Sequence, residues 1–314
     1  MGDIVCKFGG SSLADARQMQ KVAQIVRSDS RRRFVVPSAP GKRSDQDTKI
    51  TDLLYSCHEL ARQQMDIGDP FRKIEARFMD LIGELDVQVD MASLLQQVRR
   101  EIEDGASKAF VASRGEFLGS HVMASLLGAT FVDSAEVVRF RPDGRFDPDC
   151  YALLASKLSG SGLFVIPGFY GADAHGNICT FTRGGSDITG AIVARAIGAE
   201  VYENWTDVSG LLMADPRMVD NPLGVEDITY REIRELSYMG ASVFHDEAMF
   251  PVREVNIPIH IRNTNRPEDK GTYIRPTRPL TDRLIAGVAG RPNFTMLYIE
   301  KALMNQTRGF GLQV

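Results

Sequence analysis

Residues 4–12 read IVCKFGGSS, a short apolar run that ends at Lys7-Phe8 and empties into two glycines. An apolar run of this length closed by a turn signal reads as a buried strand. Beyond the turn, Met19, Val22, Ala23, Ile25 and Val26 recur at three- and four-residue spacings, which predicts a helix. Strand, glycine turn and helix make the first half of a βα unit, and the pattern recurs along the chain. FVVPSAPG (34–41) is a second buried-strand signal that breaks at Pro40-Gly41, and ITDLL from Ile50 opens another helix.

Between Asp69 and Asp104 the pattern predicts a helical pair, started by Asp69 as N-cap with Pro70 behind it and divided by the polar DVQVD. KAFVAS, GATFVDS and GLFVIPGF read as further apolar strands, separated by helices near 116–128 and 151–159, and Asp147-Pro148 repeats the cap-and-proline start. A hairpin-like HGNICTF follows, then a helix from Asp187, the strand EVYENWTDV, helices across 230–255 and a last strand IPIHIRN. Residues 266–292, rich in proline, arginine and glycine, read as a connection. Alternating strands and helices imply a mainly parallel sheet covered on both faces. Ligands of such sheets bind beyond the carboxyl ends of the strands. The turns after Phe8, at Gly41, at Gly168 and in TDVSG (206–210) would all fall on that edge.

Composition narrows the function. With 314 residues, 43% of them hydrophobic, the chain can bury a large core, and a net charge of −4 argues against nucleic acid as a main partner. No apolar stretch approaches the roughly 20 residues needed to span a bilayer, and Met1–Phe8 reads as a strand rather than a signal peptide. Four cysteines without CxxC spacing read as reduced thiols, and a cytoplasmic location is expected. The five histidines are dispersed, so no protein metal site is expected.

Two stretches carry chemistry. KFGGSS sets a lysine at a strand end before bare glycine backbone, where N–H groups can approach phosphate oxygens and an ammonium can offset charge on a transferred phosphoryl group. An ordinary βα turn with a solvated lysine is the plainer alternative. No GxxxxGK[ST] occurs, and Gly160-x-Gly162 lacks the third glycine of a dinucleotide fingerprint. RGGSD (183–187) joins a cation suited to a carboxylate with bare backbone and an acid, and the plainer role of Asp187 is to cap the helix from Ile188. In SRGEFLGS, Glu116 stands at a strand-to-helix junction, where an acid usually just complements the helix dipole. WTDVSGLLMADPR (205–217) has as its plainer reading a loop with a salt bridge.

KFGGSS, VVPSAPGK, ITDLL, SRGEFLGS, FTRGGSDITGA, WTDVSGLLMADPR, ELSYMGASVFHDEA and IRNTNRPEDKGT occur in the order found in aspartokinases. Over about residues 2–300 the chain resembles that branch of the amino-acid kinase superfamily. The resemblance implies an open αβα sandwich with a substrate lobe at about 1–170 and a nucleotide lobe at about 171–280. It implies transfer of the γ-phosphoryl group of ATP, with Mg2+, to the β-carboxylate of L-aspartate, the first step toward lysine, threonine, methionine and diaminopimelate.

It also implies residue roles. Lys7 would stabilise the transferred phosphoryl, with Gly9 and Gly10 donating backbone hydrogen bonds and Asp187 holding Lys7. Arg183 would grip the aspartate carboxylate and Glu116 its ammonium, with hydroxyls from Ser38, Thr51 and Ser186. Thr206, Asp207, Asp215 and Arg217 would contact ATP. Thr182, Leu212 and Ser242 depart from the family pattern, where glycine, tyrosine and lysine are common. Residues 281–314 would be a linker and the start of an ACT-type regulatory module, so feedback by lysine or threonine and most of the usual dimer contacts are expected to be missing. The rival readings are a kinase of glutamate or N-acetylglutamate, and a catalytically inactive regulatory fragment.

Overall fold

The computed structural model describes residues 2–238, 246–279 and 285–290. The first half comprises β1 (Ile4–Phe8), α1 (Ala16–Arg27), β2 (Arg32–Pro37), α2 (Ile50–Arg62), α3 (Gly68–Leu85), α4 (Met91–Glu103) and α5 (Lys108–Leu127). Next come β3 (Thr130–Phe131), α6 (Ser134–Val137), α7 (Cys150–Lys157), β4 (Phe164–Val165), β5 (Tyr170–Ala172), β6 (Ile178–Thr180), α8 (Gly185–Ile197) and β7 (Val201–Thr206). The rest is β8 (Leu211–Leu212), β9 (Gly224–Val225), β10 (Asp227–Thr229), α9 (Tyr230–Tyr238), α10 (Asp246–Arg253), β11 (Ile259–Asn263) and β12 (Thr272–Arg275).

Eight strands form one sheet in the order β10-β12-β11-β7-β1-β2-β4-β3, parallel throughout except where β11 meets β12. The pleat divides β1 between two cores. Ile4, Cys6 and Phe8 join a cluster with α1 to α5, while Val5 joins one with α7 to α10. Lys7 shares the parity of Val5 and therefore faces α8. The same rule places Tyr202 and Asn204 of β7 toward α8, and Glu203 and Trp205 toward the other layer.

Several local expectations differ from the structure. KAFVAS is the first turn of α5, not a strand; Ser107 caps it by accepting the Phe110 N–H at 3.2 Å. This helix is buried almost all round, so it shows no apolar stripe, and its apolar run is indistinguishable from a strand in one dimension. Glu116 is consequently in mid-helix rather than at a junction. Asp69 lies inside the first turn of α3, which starts at Gly68, and pairs there with Arg72 and Lys73. Asp147-Pro148 precedes α7 by a turn, the Asp147 carbonyl accepting from the Cys150 N–H at 3.1 Å. IPIHIRN is not the last strand, because β12 folds back antiparallel to it out of the stretch read as a connection. HGNICTF does contribute to a hairpin, pairing β5 with β6. Ser242 and most of 281–314 lie outside the described residues.

The middle of the sheet is pinned by a buried charge. The Glu203 carboxylate, on β7, accepts from Arg32 of β2 at 2.8 and 3.1 Å, from the Trp205 indole at 2.9 Å and from Arg262 of β11 at 3.3 Å, with the Cys6 thiol of β1 also at 3.3 Å. The two guanidiniums lie over the Trp205 ring at 5.3 and 4.4 Å. Burial opposes ionisation of Glu203, but the bonds and charge of Arg32, with Trp205 and Arg262, outweigh it and hold its pKa below the ordinary value. Removing one partner of a buried charge set leaves the others uncompensated, typically at about 3–5 kcal/mol. Glu203→Ala should therefore lower the urea unfolding free energy by about that much, and Glu203→Gln by less; an unchanged denaturation midpoint for the alanine variant would show that the cluster does not hold the sheet.

Candidate active site

The carboxyl ends of β1, β2, β4 and β7 form one edge, and backbone hydrogen bonds stitch their turns together. Gly9 N–H donates to the Trp205 carbonyl at 3.0 Å, Ser38 N–H to Phe8 at 3.0 Å, Gly41 N–H to Gly10 at 2.8 Å and Gly168 N–H to Pro37 at 3.0 Å. These are the turns that the sequence placed on this edge.

At its centre the Lys7 ammonium, only 8% exposed, lies 2.7 Å from Asp187 Oδ1. A buried ammonium is tolerable only when paired. A Cβ built on Gly9 would stand 3.6 Å from Lys7 Nζ, so the ammonium lies beside bare glycine backbone. Asp187 does not cap α8. The capping position is Gly184, whose φ of +58° suits glycine, and Asp187 sits in the first turn, its carboxylate turned toward β1 and β7. Its Oδ1 also accepts from Asn204 Nδ2 at 2.7 Å. Sequence reasoning missed Asn204; the available signal was a polar residue on the α8-facing side of the strand VYENWT, otherwise occupied by Tyr202.

Arg183 is exposed on the turn before α8, and among the described residues no hydrogen bond or ion pair engages it. Ser186 is buried against Gly168, where an added Cβ would meet its side chain at 2.6 Å. The turn between is fixed by Phe169, whose φ is +81°, rare for a bulky residue. Its N–H donates to Thr189 Oγ1 at 3.0 Å and its carbonyl accepts from Phe181 at 3.0 Å.

Glu116 reaches the same edge from α5. Gly115 beside it lets α5 close on the turn after β2 and on the start of α2, since a Cβ there would lie 2.8 Å from Ala39 Cβ and 3.3 Å from Ile50 Cγ2. This contact gathers Ser38, Thr51 and Glu116, the first two half-buried. Glu116 is 7% exposed and its Oε2 has no hydrogen-bond partner. Burial pushes its pKa up to about 8, opposed by the backbone of Ala39 and of Glu116 itself and by the charge of Arg114. Arg114 is held elsewhere, bonded to Ser113 and stacked on Phe110 and Phe117 at 4.2 and 4.5 Å.

Thr206 and Asp207 extend the edge at the end of β7, hydrogen bonded to each other at 3.1 Å and anchored by Thr264 and Asn263. Asp215, half-buried, and Arg217, exposed, lie in the loop between β8 and β9 and pair at 2.6 Å, as the plainer reading of WTDVSGLLMADPR expects. No hydrogen bond links them to Lys7 or Asp187 among the described residues. Leu212, nearby, is 44% exposed.

The model of the amino acid kinase family matches residues 4–263. Aspartokinase 3 of Bacillus subtilis is 38% identical over 325 residues, covering 98% of this chain and 71% of that protein. Among solved structures, the Clostridium acetobutylicum aspartate kinase superposes with a TM-score of 0.87 at 47% identity, over 91% of this chain and 66% of that one. E. coli aspartokinase III in complex with aspartate and ADP gives 0.76 at 28% identity, over 88% and 65%. The matched region thus spans about seven-tenths of the Bacillus protein and about two-thirds of each solved chain. The family model covers most of the chain, which belongs to the amino-acid kinase family; its mainly parallel sheet carries a lysine–aspartate pair at the carboxyl edge. Within that family it is one of the aspartokinases.

The raised pKa of Glu116 has a consequence for stability. Between about pH 4.5 and pH 8 the folded protein keeps a proton on Glu116 that the unfolded chain has released, so stability falls as pH rises through this window. The full displacement corresponds to at most about 5 kcal/mol. Glu116→Gln should remove this contribution: the ligand-free variant gains stability over wild type as pH goes from 5 to 8. Parallel Tm curves for the two proteins would mean that Glu116 is ionised throughout.

Proposed function

We propose that the chain transfers the γ-phosphoryl group of ATP to the β-carboxylate of L-aspartate, giving 4-phospho-L-aspartate. The observation that carries this reading is the buried Lys7 ammonium, pinned by Asp187 beside the bare backbone of Gly9. Phosphoryl transfer needs little covalent help from a protein and much positioning and charge stabilisation. Lys7 supplies positive charge where the transferred group develops negative charge, and the Gly10 N–H donates to its oxygens; the Gly9 N–H, expected to do the same, is instead held by the Trp205 carbonyl at 3.0 Å. Arg183, carrying no partner of its own, takes the substrate α-carboxylate through two parallel hydrogen bonds. Glu116, with an oxygen unbonded, takes the α-ammonium, whose arrival supplies the positive charge that this buried carboxyl lacks. Ser38, Thr51 and Ser186 add hydroxyls around the same substrate.

ATP would lie on the far side of Lys7, with Thr206 and Asp207 at the β7 end and Asp215 and Arg217 reaching it from their loop. Among the described residues no three or more histidine, cysteine or acidic side chains gather as a metal site. Magnesium would enter as an ion carried in on the phosphates, where it supplies charge neutralisation. Division into a substrate lobe (about 1–170) and a nucleotide lobe (about 171–280) follows from these assignments. The absence of any described helix long and apolar enough to cross a membrane is consistent with work in the cytoplasm.

A hydroxamate assay with aspartate, glutamate and N-acetylglutamate side by side tests the substrate; turnover of aspartate alone is expected, and preference for either other acid would overturn the reading. Lys7→Met should lower kcat by a factor of roughly a hundred or more, as loss of such charge stabilisation commonly costs about 3 kcal/mol. Near-wild-type kcat in the folded variant would remove Lys7 from the reaction. Arg183→Ala should raise KM for aspartate far more than KM for ATP, since hydrogen bonds to a charged group contribute about 1.5–3 kcal/mol. Equal losses for both substrates would place Arg183 outside the amino-acid pocket.

A further inference from the structure

One oxygen of Asp187 carries two bonds. Its Oδ1 lies 2.7 Å from Lys7 Nζ and 2.7 Å from Asn204 Nδ2. The two donors come from directly paired positions of neighbouring strands, since β1 and β7 match Lys7 with Asn204. A carboxylate can only accept, so the Asn204 amide must present its NH2 group here. Asn204 is 4% exposed, and a buried amide in a strand otherwise occupied by large side chains is costly unless its bond is made. Two residues earlier on the same face, the Tyr202 hydroxyl donates to the Asp187 carbonyl at 3.0 Å, and its ring fills the space left by Gly190, where an added Cβ would be 2.6 Å away. β7 thus holds Asp187 at both ends: the main chain through Tyr202, the carboxylate through Asn204.

We infer that Asn204 is a positioning residue for phosphoryl transfer: it fixes the rotation of the Asp187 carboxylate and through it the place of the Lys7 ammonium over the Gly9-Gly10 turn. The inference rests on the proposed role of Lys7. A carboxylate bonded only to a flexible ammonium is free to turn about its last torsion, and Asp187, at the start of α8 and partly open to solvent, has room to do so. A second donor, rigid in the sheet, removes that freedom. Displacement of a reacting group by even an ångström costs rate more than binding.

Two substitutions separate positioning from packing. Asn204→Leu keeps the branching and the number of heavy atoms, with somewhat bulkier methyl groups, and removes the donor while Asp187 keeps its bond to Lys7. Its kcat should fall on the order of 10- to 100-fold, with KM for ATP and for the amino acid changed much less. Asn204→Asp keeps the shape but turns the donor into a second carboxylate against Asp187. Such a pair shares a proton, and the protonated member donates the missing bond. The activity of this variant relative to wild type should therefore recover as pH is lowered, whereas the ratio for Asn204→Leu stays flat.

The assay uses the whole chain with ATP and whichever acid the wild type turns over, and folding is checked by urea denaturation. Wild-type kcat in Asn204→Leu, or a pH-independent ratio for Asn204→Asp, would overturn the inference. Should the leucine variant fail to fold, the pH ratio of the aspartate variant decides. Lys7→Met is run in parallel. If it is inactive while Asn204→Leu runs at the wild-type rate, only the positioning role falls; if it too keeps the wild-type rate, the role of Lys7 and this inference fall together.

Discussion

A carboxylate in the middle of the sheet organises the molecule. Glu203 stands on β7, and the groups that satisfy it come from β1, β2 and β11, so four central strands must hold their register for one charge to be paired. Arg32 extends the demand to the helical layer, donating also to the Ile25 carbonyl and Ser28 hydroxyl at the end of α1. Buried ion pairs contribute little net stability compared with an apolar core, but a slipped register would strand two guanidiniums and a carboxylate in low dielectric. The cluster works chiefly against wrong pairings.

The reactive edge depends on that register. Trp205 donates its indole N–H to Glu203, and its carbonyl in turn accepts from the Gly9 N–H. The position of the glycine turn is therefore set from below by the same residue over whose ring the two guanidiniums lie. On the opposite face of the same strands, Lys7 and Asn204 point at α8 and meet Asp187. Strand alternation keeps the two polar systems apart: the Glu203 cluster toward α1 to α5, and Lys7 and Asn204 with Asp187 toward α8. Glu116 approaches from the α1 to α5 layer, where burial raises its pKa and leaves Oε2 without a hydrogen-bond partner.

Much of the site was readable in one dimension because glycine turns are conspicuous. KFGGSS, the Pro40-Gly41 break, Gly168 and TDVSG all lie where alternation of strands and helices put them. Errors arose where burial erased periodicity. KAFVAS looks like a strand because α5 is enclosed on every side, and that reading puts Glu116 at a strand-to-helix junction instead of buried in mid-helix. Asp187 read as a cap because caps and first-turn acids differ by a few residues, while Gly184 took the capping position by virtue of its left-handed backbone. The bulky residue with positive φ in GFYGA is Phe169 rather than a glycine, and nothing in the sequence marks it.

The sequence by itself determined the alternating α/β architecture, the sheet edge that gathers the glycine turns and the residue types available there, since apolar period and glycine placement are local properties of the chain. It also carried enough motif order to indicate the family. Which charges are paired and which are left for a ligand was decided only in three dimensions. Asp187 and Asn204 lie 17 residues apart and meet Lys7 from another strand; Arg217 finds Asp215 two residues away, while Arg183 finds no partner among the described residues. Pairing and burial are properties of neighbours brought together by packing, and they set whether an ionisable group is structure or chemistry.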